Sequence, residues 1–203
     1  MAFITSSPSE AVDYYLSTCD YSDSFGKIKK WLNSGISNPA KAWILVYGPH
    51  QYRIPNVNKE ILVEKLDRAM PWADSFPDFE SIYLKIKNIL VPFQGRVTLY
   101  DISFRLGLSI NVYPGKYVYI TSGNVIENAK IILGLSKDPG IKRKKTDFPL
   151  WLQVLETWQI EDFLCHVIIT GTPSELNFEF KEKNQKPFSK YPDEVKKELE
   201  TLQ

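Results

Sequence analysis

The chain has 203 residues (23.4 kDa), of which 43% are hydrophobic and 24% charged, the balance of an ordinary globular protein of one domain. A chain of this size buries roughly 70% of its unfolded surface on folding, so it needs neither disulfides nor a metal to hold a core. The 25 Lys and Arg against 24 Asp and Glu give a net charge of +1, which excludes a whole-protein field that draws the molecule onto nucleic acid or membrane.

The N-terminal third of the chain is predicted to be helical. In residues 22–33, the apolar side chains Phe25, Ile28 and Trp31 share one helical face, and Gly35 ends the helix. Asn38-Pro39 indicates the start of a further helix, and a Gly-Pro pair indicates its end. Proline is favoured in the first turn of a helix and glycine directly after the last turn. The predicted helices of this region span residues 8–18, 22–33, 40–47 and 58–70.

Two further helices are predicted on either side of a short turn. Asp78–Leu90 has the clearest amphipathic pattern of the chain, with Asp78 as its cap. The turn covers Val91 to Val97, and Thr98 then caps a second helix that continues through Leu106. We expect Gly107 to mark the end of that helix.

The next region is predicted to contain the extended part of the fold. Tyr117–Ile120 is aromatic and β-branched, which favours a short strand. Asn124–Leu133 is predicted to be helical and closed by Gly134. Residues 135–148 are typical of a loop, since they hold a Pro-Gly turn and then four consecutive basic residues.

The C-terminal part changes character after Gly171. Residues 149–155 and 159–169 are predicted to be helical, whereas the residues that follow Gly171 are polar and rich in Lys and Glu. A charged helix is predicted over Pro192–Leu202. We therefore expect a tail that orders only on a partner.

These elements predict a mainly α protein, a compact multi-helix domain with a minor extended element. The helical core domain is predicted to cover residues 1–171 and to contain, at 78–107, two helices joined by a hairpin. The charged, loosely attached C-terminal tail is predicted to cover residues 172–203.

Several classes of site are excluded by the residue types present. Cys19 and Cys165 are too few for a thiolate metal site of the usual spacing, and His50 and His166 lie 116 positions apart, which excludes an HExxH zinc site. The N-terminus lacks the basic flank and the long apolar run of a signal peptide, so we expect none. No segment approaches the ~18 apolar residues of a membrane span. We expect a reduced, cytoplasmic protein without metal, cofactor or membrane partner.

The turn between the two central helices is a candidate phosphate site. A tight turn with Gly95 can present the backbone N–H groups at the start of the second helix, where the helix dipole favours an anion. Arg96 would lie beside a nucleic-acid phosphate bound there, and Thr98 completes the predicted contact.

This segment resembles helix-hairpin-helix proteins, in which the hairpin carries Gly-x-Gly. Val97-Thr-Leu-Tyr-Asp-Ile-Ser-Phe-Arg-Leu-Gly107 is similar to a stretch of uncharacterised bacterial proteins, and Lys116–Ile120 and Ile160–Cys165 resemble the same group. The resemblance covers residues 79–168. The hairpin is degenerate, since Val97 stands in place of the second glycine. It implies nucleic-acid binding and a distant similarity to DNA glycosylases.

Asp101 is the alternative catalytic residue. Glycosylases of the helix-hairpin-helix class use a Lys in the hairpin or an Asp soon after it, and Asp101 stands five residues past Arg96. The other interpretation is an i, i+4 salt bridge with Arg105 on the helix surface, worth a few tenths of a kcal/mol.

A second candidate contact is the basic cluster Lys142, Arg143, Lys144 and Lys145. Four adjacent cations could meet several phosphates, each contributing about one unit to the salt dependence of binding. Asp138 and Asp147 flank the cluster, and a solvated loop is the alternative interpretation.

The sequence leads to one hypothesis and two alternatives. The first is a small helical protein that binds DNA, RNA or a nucleic-acid complex through Gly95, Arg96, Thr98 and Lys142–Lys145, without catalysis. The second is a protein-interaction module that docks through residues 172–203. The third is a glycosylase-like or lyase-like enzyme that uses Asp101.

Overall fold

The computed structural model describes residues 2–18, 22–47, 56–69, 72, 74–90, 95–180 and 191–202, and these residues are mainly helical, as predicted. The helices are α1 (Pro8–Thr18), α2 (Ser22–Leu32), α3 (Asn38–Val46), α4 (Asn56–Ala69), α5 (Phe79–Leu90), α6 (Arg96–Ile110), α7 (Gly123–Leu133), α8 (Leu150–Gln153), α9 (Thr157–His166) and α10 (Asp193–Glu200). The strands are β1 (Phe3–Thr5), β2 (Tyr117–Tyr119), β3 (Lys142–Lys144), β4 (Val167–Thr172) and β5 (Glu175–Phe180).

The chain divides into two units. Unit 1 consists of Met1–Asp20 and Pro114–Asn184, and unit 2 of Tyr21–Tyr113 and Gln185–Gln203. None of the helices in the described ranges is both long enough and apolar enough to cross a membrane.

Unit 1 is built around an antiparallel sheet with the strand order β1-β5-β4. Phe180 pairs with Phe3 on one side and with Val167 on the other. Along β5 the side chains alternate between the core and solvent, because successive residues of a strand point to opposite faces. The buried face packs its aromatic rings against α9, where the ring centroids of Phe163 and Phe178 are 6.3 Å apart.

This sheet corrects the predicted tail. The boundary expected at residue 171 lies inside β4, and Leu176, Phe178 and Phe180 belong to the core of unit 1 rather than to a loosely attached segment. The average composition of Glu175–Phe180 is polar, but its apolar residues recur at every second position. The predicted helix over residues 159–169 likewise ends at His166, and the chain continues as β4.

Unit 2 is helical and includes the C-terminal helix α10. Ser37 caps α3 by accepting a hydrogen bond from the backbone N–H of Ala40 at 3.3 Å. The carboxylate of Glu198 on α10 accepts from both the backbone N–H and the hydroxyl of Ser37, at 2.7 Å each. Val195 and Leu199 are buried. Residues 191–202 are therefore integrated into unit 2, which also differs from the predicted tail.

Helix α6 extends beyond its predicted bounds at both ends. Gly95, not Thr98, occupies the cap position, and Gly107 lies inside the helix. Gly107 is needed there because a β-carbon at this position would overlap the carbonyl oxygen of Val112. The helix ends instead at Asn111, which has the left-handed φ of 60°.

Other predicted helix boundaries are confirmed. The Asp78 carboxylate accepts a hydrogen bond from the backbone N–H of Ser81 at 2.8 Å, which caps α5. Gly134 closes α7 with φ of 62°. These boundaries depend on side chains within a few residues of the helix end, so the sequence shows them directly.

Candidate nucleic-acid interface

Strands β2 and β3 form a two-stranded antiparallel ribbon in unit 1. Tyr117 pairs with Lys144, Val118 with Arg143 and Tyr119 with Lys142. Backbone hydrogen bonds extend the pairing at both ends, from Ile120 to Ile141 at 2.8 Å and from Lys145 to Lys116 at 3.2 Å. We call residues 116–120 with 141–145 the basic ribbon.

The basic ribbon corrects part of the prediction that residues 135–148 are a loop: residues 135–141 are a loop as predicted, whereas residues 142–147 are not. Lys142–Lys144 form a strand because β2 supplies backbone partners and an apolar support. Val118, Tyr119 and Ile120 are at most 2% exposed, and β2 packs against α9. A run of basic residues has no apolar alternation of its own, so the sequence gives no local sign of this strand.

The strand separates the four predicted basic residues into two groups. Lys142 and Lys144 are exposed on β3, as expected for residues two positions apart on one strand face. Arg143 is half-buried between them, and its Nε donates to the carbonyl oxygen of Pro139 at 2.6 Å. Lys145 is half-buried in a 3₁₀ turn over Lys145–Asp147. The exposed positive charge of β3 therefore comes from its two lysines.

An aromatic ring lies among these lysines. The ammonium nitrogen of Lys142 is 4.4 Å from the ring centroid of Tyr117, and that of Lys116 is 5.3 Å from it. Both distances are in the range of a cation–π interaction. No contact of Lys116 or Tyr117 was predicted from the sequence. Only the strand pairing, across 25 or more positions, brings them to the basic cluster.

The charge around the basic ribbon is locally positive although the whole chain is nearly neutral. Residues 137–147 contain five basic and two acidic residues. The two acids hold backbone geometry: Asp138 accepts from the N–H of Gly140 at 2.7 Å, and Asp147 from the N–H of Lys144 at 3.1 Å. Because cations outnumber acids at this ribbon, its electrostatic field attracts anions.

The turn before α6 is only partly within the described residues, since residues 91–94 are outside them. Helices α5 and α6 do pack together, with the rings of Phe79 and Tyr100 6.0 Å apart. Gly95 is exposed and caps α6 with its carbonyl oxygen, which accepts from Leu99 at 3.1 Å. Arg96 and Thr98 occupy the first turn of the helix, both half-buried. Their predicted phosphate contact stays a prediction.

Asp101 pairs with Arg105, as the salt-bridge interpretation expected, but the pair is not on the surface. Nη2 of Arg105 is 3.6 Å from the Asp101 carboxylate, and Nη1 donates to the carbonyl oxygen of Leu45 at 2.6 Å. Arg105 is only 4% exposed. Burial lowers the pKa of its guanidinium, and the charge of Asp101 acts in the opposite direction. This geometry favours a structural role for Asp101.

Unit 1 contains a further polar cluster that was not predicted from the sequence. The Asp162 carboxylate accepts from the Tyr15 hydroxyl at 2.9 Å and lies 3.1 Å from Nδ1 of His166. The i, i+4 spacing of Asp162 and His166 on α9 was the available signal. Tyr15 is 1% exposed, so the cluster attaches α1 to α9. Cys19 and His50 lie outside the described residues.

Within the described ranges no group of three or more His, Cys, Asp or Glu side chains is arranged to hold a metal ion. Comparisons of this chain with protein-family models, with curated proteins and with solved structures gave no match.

Proposed function

We propose that this protein binds nucleic acid, or a nucleic-acid complex, through the basic ribbon and without catalysis. The observation that supports this most directly is the position of two exposed lysines, Lys116 and Lys142, beside the ring of Tyr117, with the exposed Lys144 opposite Tyr117 in the strand pairing. Lysines supply the phosphate contacts that dominate nucleic-acid affinity, and an aromatic ring supplies a surface for a base.

The strand geometry suits a phosphodiester backbone. Side chains two positions apart on one strand are roughly 6.6 Å apart, which is comparable to the separation of neighbouring phosphates in an extended strand. Lys142 and Lys144 can therefore contact successive phosphates. Because the net charge of the chain is only +1, the attraction depends on this local group and we expect a modest affinity that falls steeply with salt.

The predicted hairpin contact belongs to unit 2 and is proposed as a separate contribution. Gly95 leaves space for a close backbone approach, since among the described residues a β-carbon there would contact the Thr98 hydroxyl alone, at 3.8 Å. Arg96 stands in the first turn of α6, where the helix dipole favours an anion. Substitution of Arg96 tests this contribution independently of the basic ribbon.

The experiment is fluorescence anisotropy with labelled DNA and RNA oligonucleotides at two salt concentrations. The ribbon variant replaces Lys116, Lys142 and Lys144 by Ala, and a control replaces the exposed Lys27 and Lys197, both in unit 2, by Ala. For a single strand, each phosphate contact adds about 0.7 to the slope of log affinity against log salt. We expect the ribbon variant to lose about 2 from this slope and the control to lose much less. Wild-type protein that binds no oligonucleotide at low salt would exclude the proposal.

A further inference from the structure

We infer that the basic ribbon takes single-stranded rather than double-stranded nucleic acid, with one base stacked on the ring of Tyr117. This inference rests on the proposed function and adds the form of the ligand. It is carried by the geometry of the ribbon, by the support beneath it and by the position of one aromatic ring.

The support beneath the ribbon argues against a duplex. A two-stranded β-ribbon can enter a major groove only where the groove can enclose it. Here Val118 and Ile120 are fully buried, and β2 packs against α9. The ribbon is therefore the edge of a larger body, and only its outer surface can meet a ligand.

The ring of Tyr117 indicates recognition of a base by stacking. In a duplex the faces of the bases are covered by neighbouring pairs, whereas an unpaired base presents its face to an aromatic side chain. Tyr117 is half-buried, so its ring is held at the surface by the strand rather than mobile in solvent. Because the ring is already held in place, little conformational entropy is lost when a base stacks on it.

The lysines near the ring are compatible with such a base. The cation–π contact of an exposed, flexible lysine is weaker than the stacking of a base, so a base can displace the ammonium of Lys142 from the ring. The displaced ammonium then stays within reach of the adjoining phosphate. Lys144, directly opposite Tyr117 in the strand pairing, is positioned for the next one.

Charge alone would also attract a membrane surface or an acidic polysaccharide. Neither of these has a planar aromatic group to stack on Tyr117. The ring therefore distinguishes a single-stranded nucleic acid from other polyanions, and the test is designed around it.

The test compares an oligothymidylate, a duplex of equal length, heparin and phosphatidylserine vesicles as ligands of the full chain. We expect wild-type protein to prefer the oligothymidylate over the duplex. Tyr117→Leu should weaken the oligothymidylate complex about 5- to 100-fold, with little change in salt slope and none in heparin affinity. Tyr117→Phe, which keeps the ring, should bind within about twofold of wild type. Tyr113→Leu is the matched control, since Tyr113 is 41% exposed in unit 2.

The outcomes separate this inference from the proposal on which it rests. Equal affinity for single strand and duplex, or a Tyr117→Leu variant that binds like wild type, overturns the single-strand inference and leaves nucleic-acid binding intact. Binding to vesicles or heparin but to no oligonucleotide overturns both. If Tyr117→Leu fails to fold, the comparison of single strand with duplex on the wild-type protein still decides between the two forms of nucleic acid.

Discussion

The guanidinium of Arg105 donates a 2.6 Å hydrogen bond to the carbonyl oxygen of Leu45, in the last turn of α3. A second buried cation lies at the same end: the ammonium of Lys59, which is 1% exposed, is 3.8 Å from the ring centroid of Tyr47, the residue that follows α3. The carboxylate of Glu198 meets the opposite end of the helix at Ser37. The two cations lie at the negative, C-terminal end of the α3 dipole, and the carboxylate lies at its positive, N-terminal end. Both placements are electrostatically favourable.

Arg105→Met is expected to lower the free energy of unfolding of unit 2 by about 3–5 kcal/mol, because it leaves Asp101 without its buried partner and Leu45 without a donor. Urea unfolding measures the change. Arg68→Met is the control, since Arg68 is 77% exposed and pairs with Glu64 on the surface. It should cost less than about 0.5 kcal/mol. Equal effects of the two substitutions would contradict a structural role for Arg105.

Asp101→Asn should lower stability by about 1–2 kcal/mol, less than Arg105→Met, because Arg105 keeps its bond to Leu45. We expect unchanged nucleic-acid affinity and no base release from damaged DNA by either wild type or variant. Stability is measured by urea unfolding and turnover on duplexes with a lesion or an abasic site. Wild-type turnover that disappears in Asp101→Asn would instead support the enzyme alternative.

Gly107→Ala should destabilise unit 2 by about 1–3 kcal/mol, since the added methyl group meets the carbonyl of Val112 and the backbone must shift. Gly26→Ala is the matched change inside another helix, α2, where a β-carbon would have no atom of the described residues within 4 Å. That substitution should stabilise the protein by about 0.5–1 kcal/mol. Thermal unfolding of the two variants should therefore move in opposite directions, and a stabilising Gly107→Ala would disprove the close approach.

Asn128→Ala should destabilise unit 1 by about 2–4 kcal/mol, because it leaves three buried backbone groups without partners. The Asn128 side chain donates to the carbonyl oxygens of Leu164 and Val167 at 2.8 Å each and accepts from the N–H of Ile169 at 3.1 Å. The exposed Asn124 on the same helix is the control, with an expected change within about 0.5 kcal/mol. Denaturant unfolding that shows the same small effect for both would contradict this role.

Tyr191 is expected to make the stability of unit 2 fall at alkaline pH. Burial raises the pKa of its hydroxyl above the ordinary value of 10.0, although the charge of Arg105 opposes this. As the pH rises, the hydroxyl of the unfolded chain therefore loses its proton first. The free energy of unfolding keeps its full value below pH 10 and decreases above pH 10 by about 1.4 kcal/mol per pH unit. Unfolding at pH 8 and pH 11 should show a smaller loss for Tyr191→Phe than for wild type. Equal losses would contradict the shift.

Several helix ends were predicted correctly from local signals, although two such signals, Thr98 and Gly107, were wrong as the bounds of α6. The Asp78 cap, the Asn38-Pro39 start of α3 and the Gly134 end of α7 all depend on residues within one turn of the boundary. The sequence also identified the cluster Lys142–Lys145, because adjacent charges are visible without a fold.

Features that depend on residues far apart in the sequence could not be predicted without the fold. Lys142–Lys144 became a strand only because Tyr117–Tyr119 supplies its backbone bonds, and the same pairing brought Tyr117 to the lysines. The burial of Arg105 could not be predicted from neighbouring residues, since the acceptor of its hydrogen bond, Leu45, lies 60 positions away. Hydrogen bonding across strands and burial join residues that no short sequence window contains, which is why the charges of the candidate site could be predicted and its aromatic ring could not.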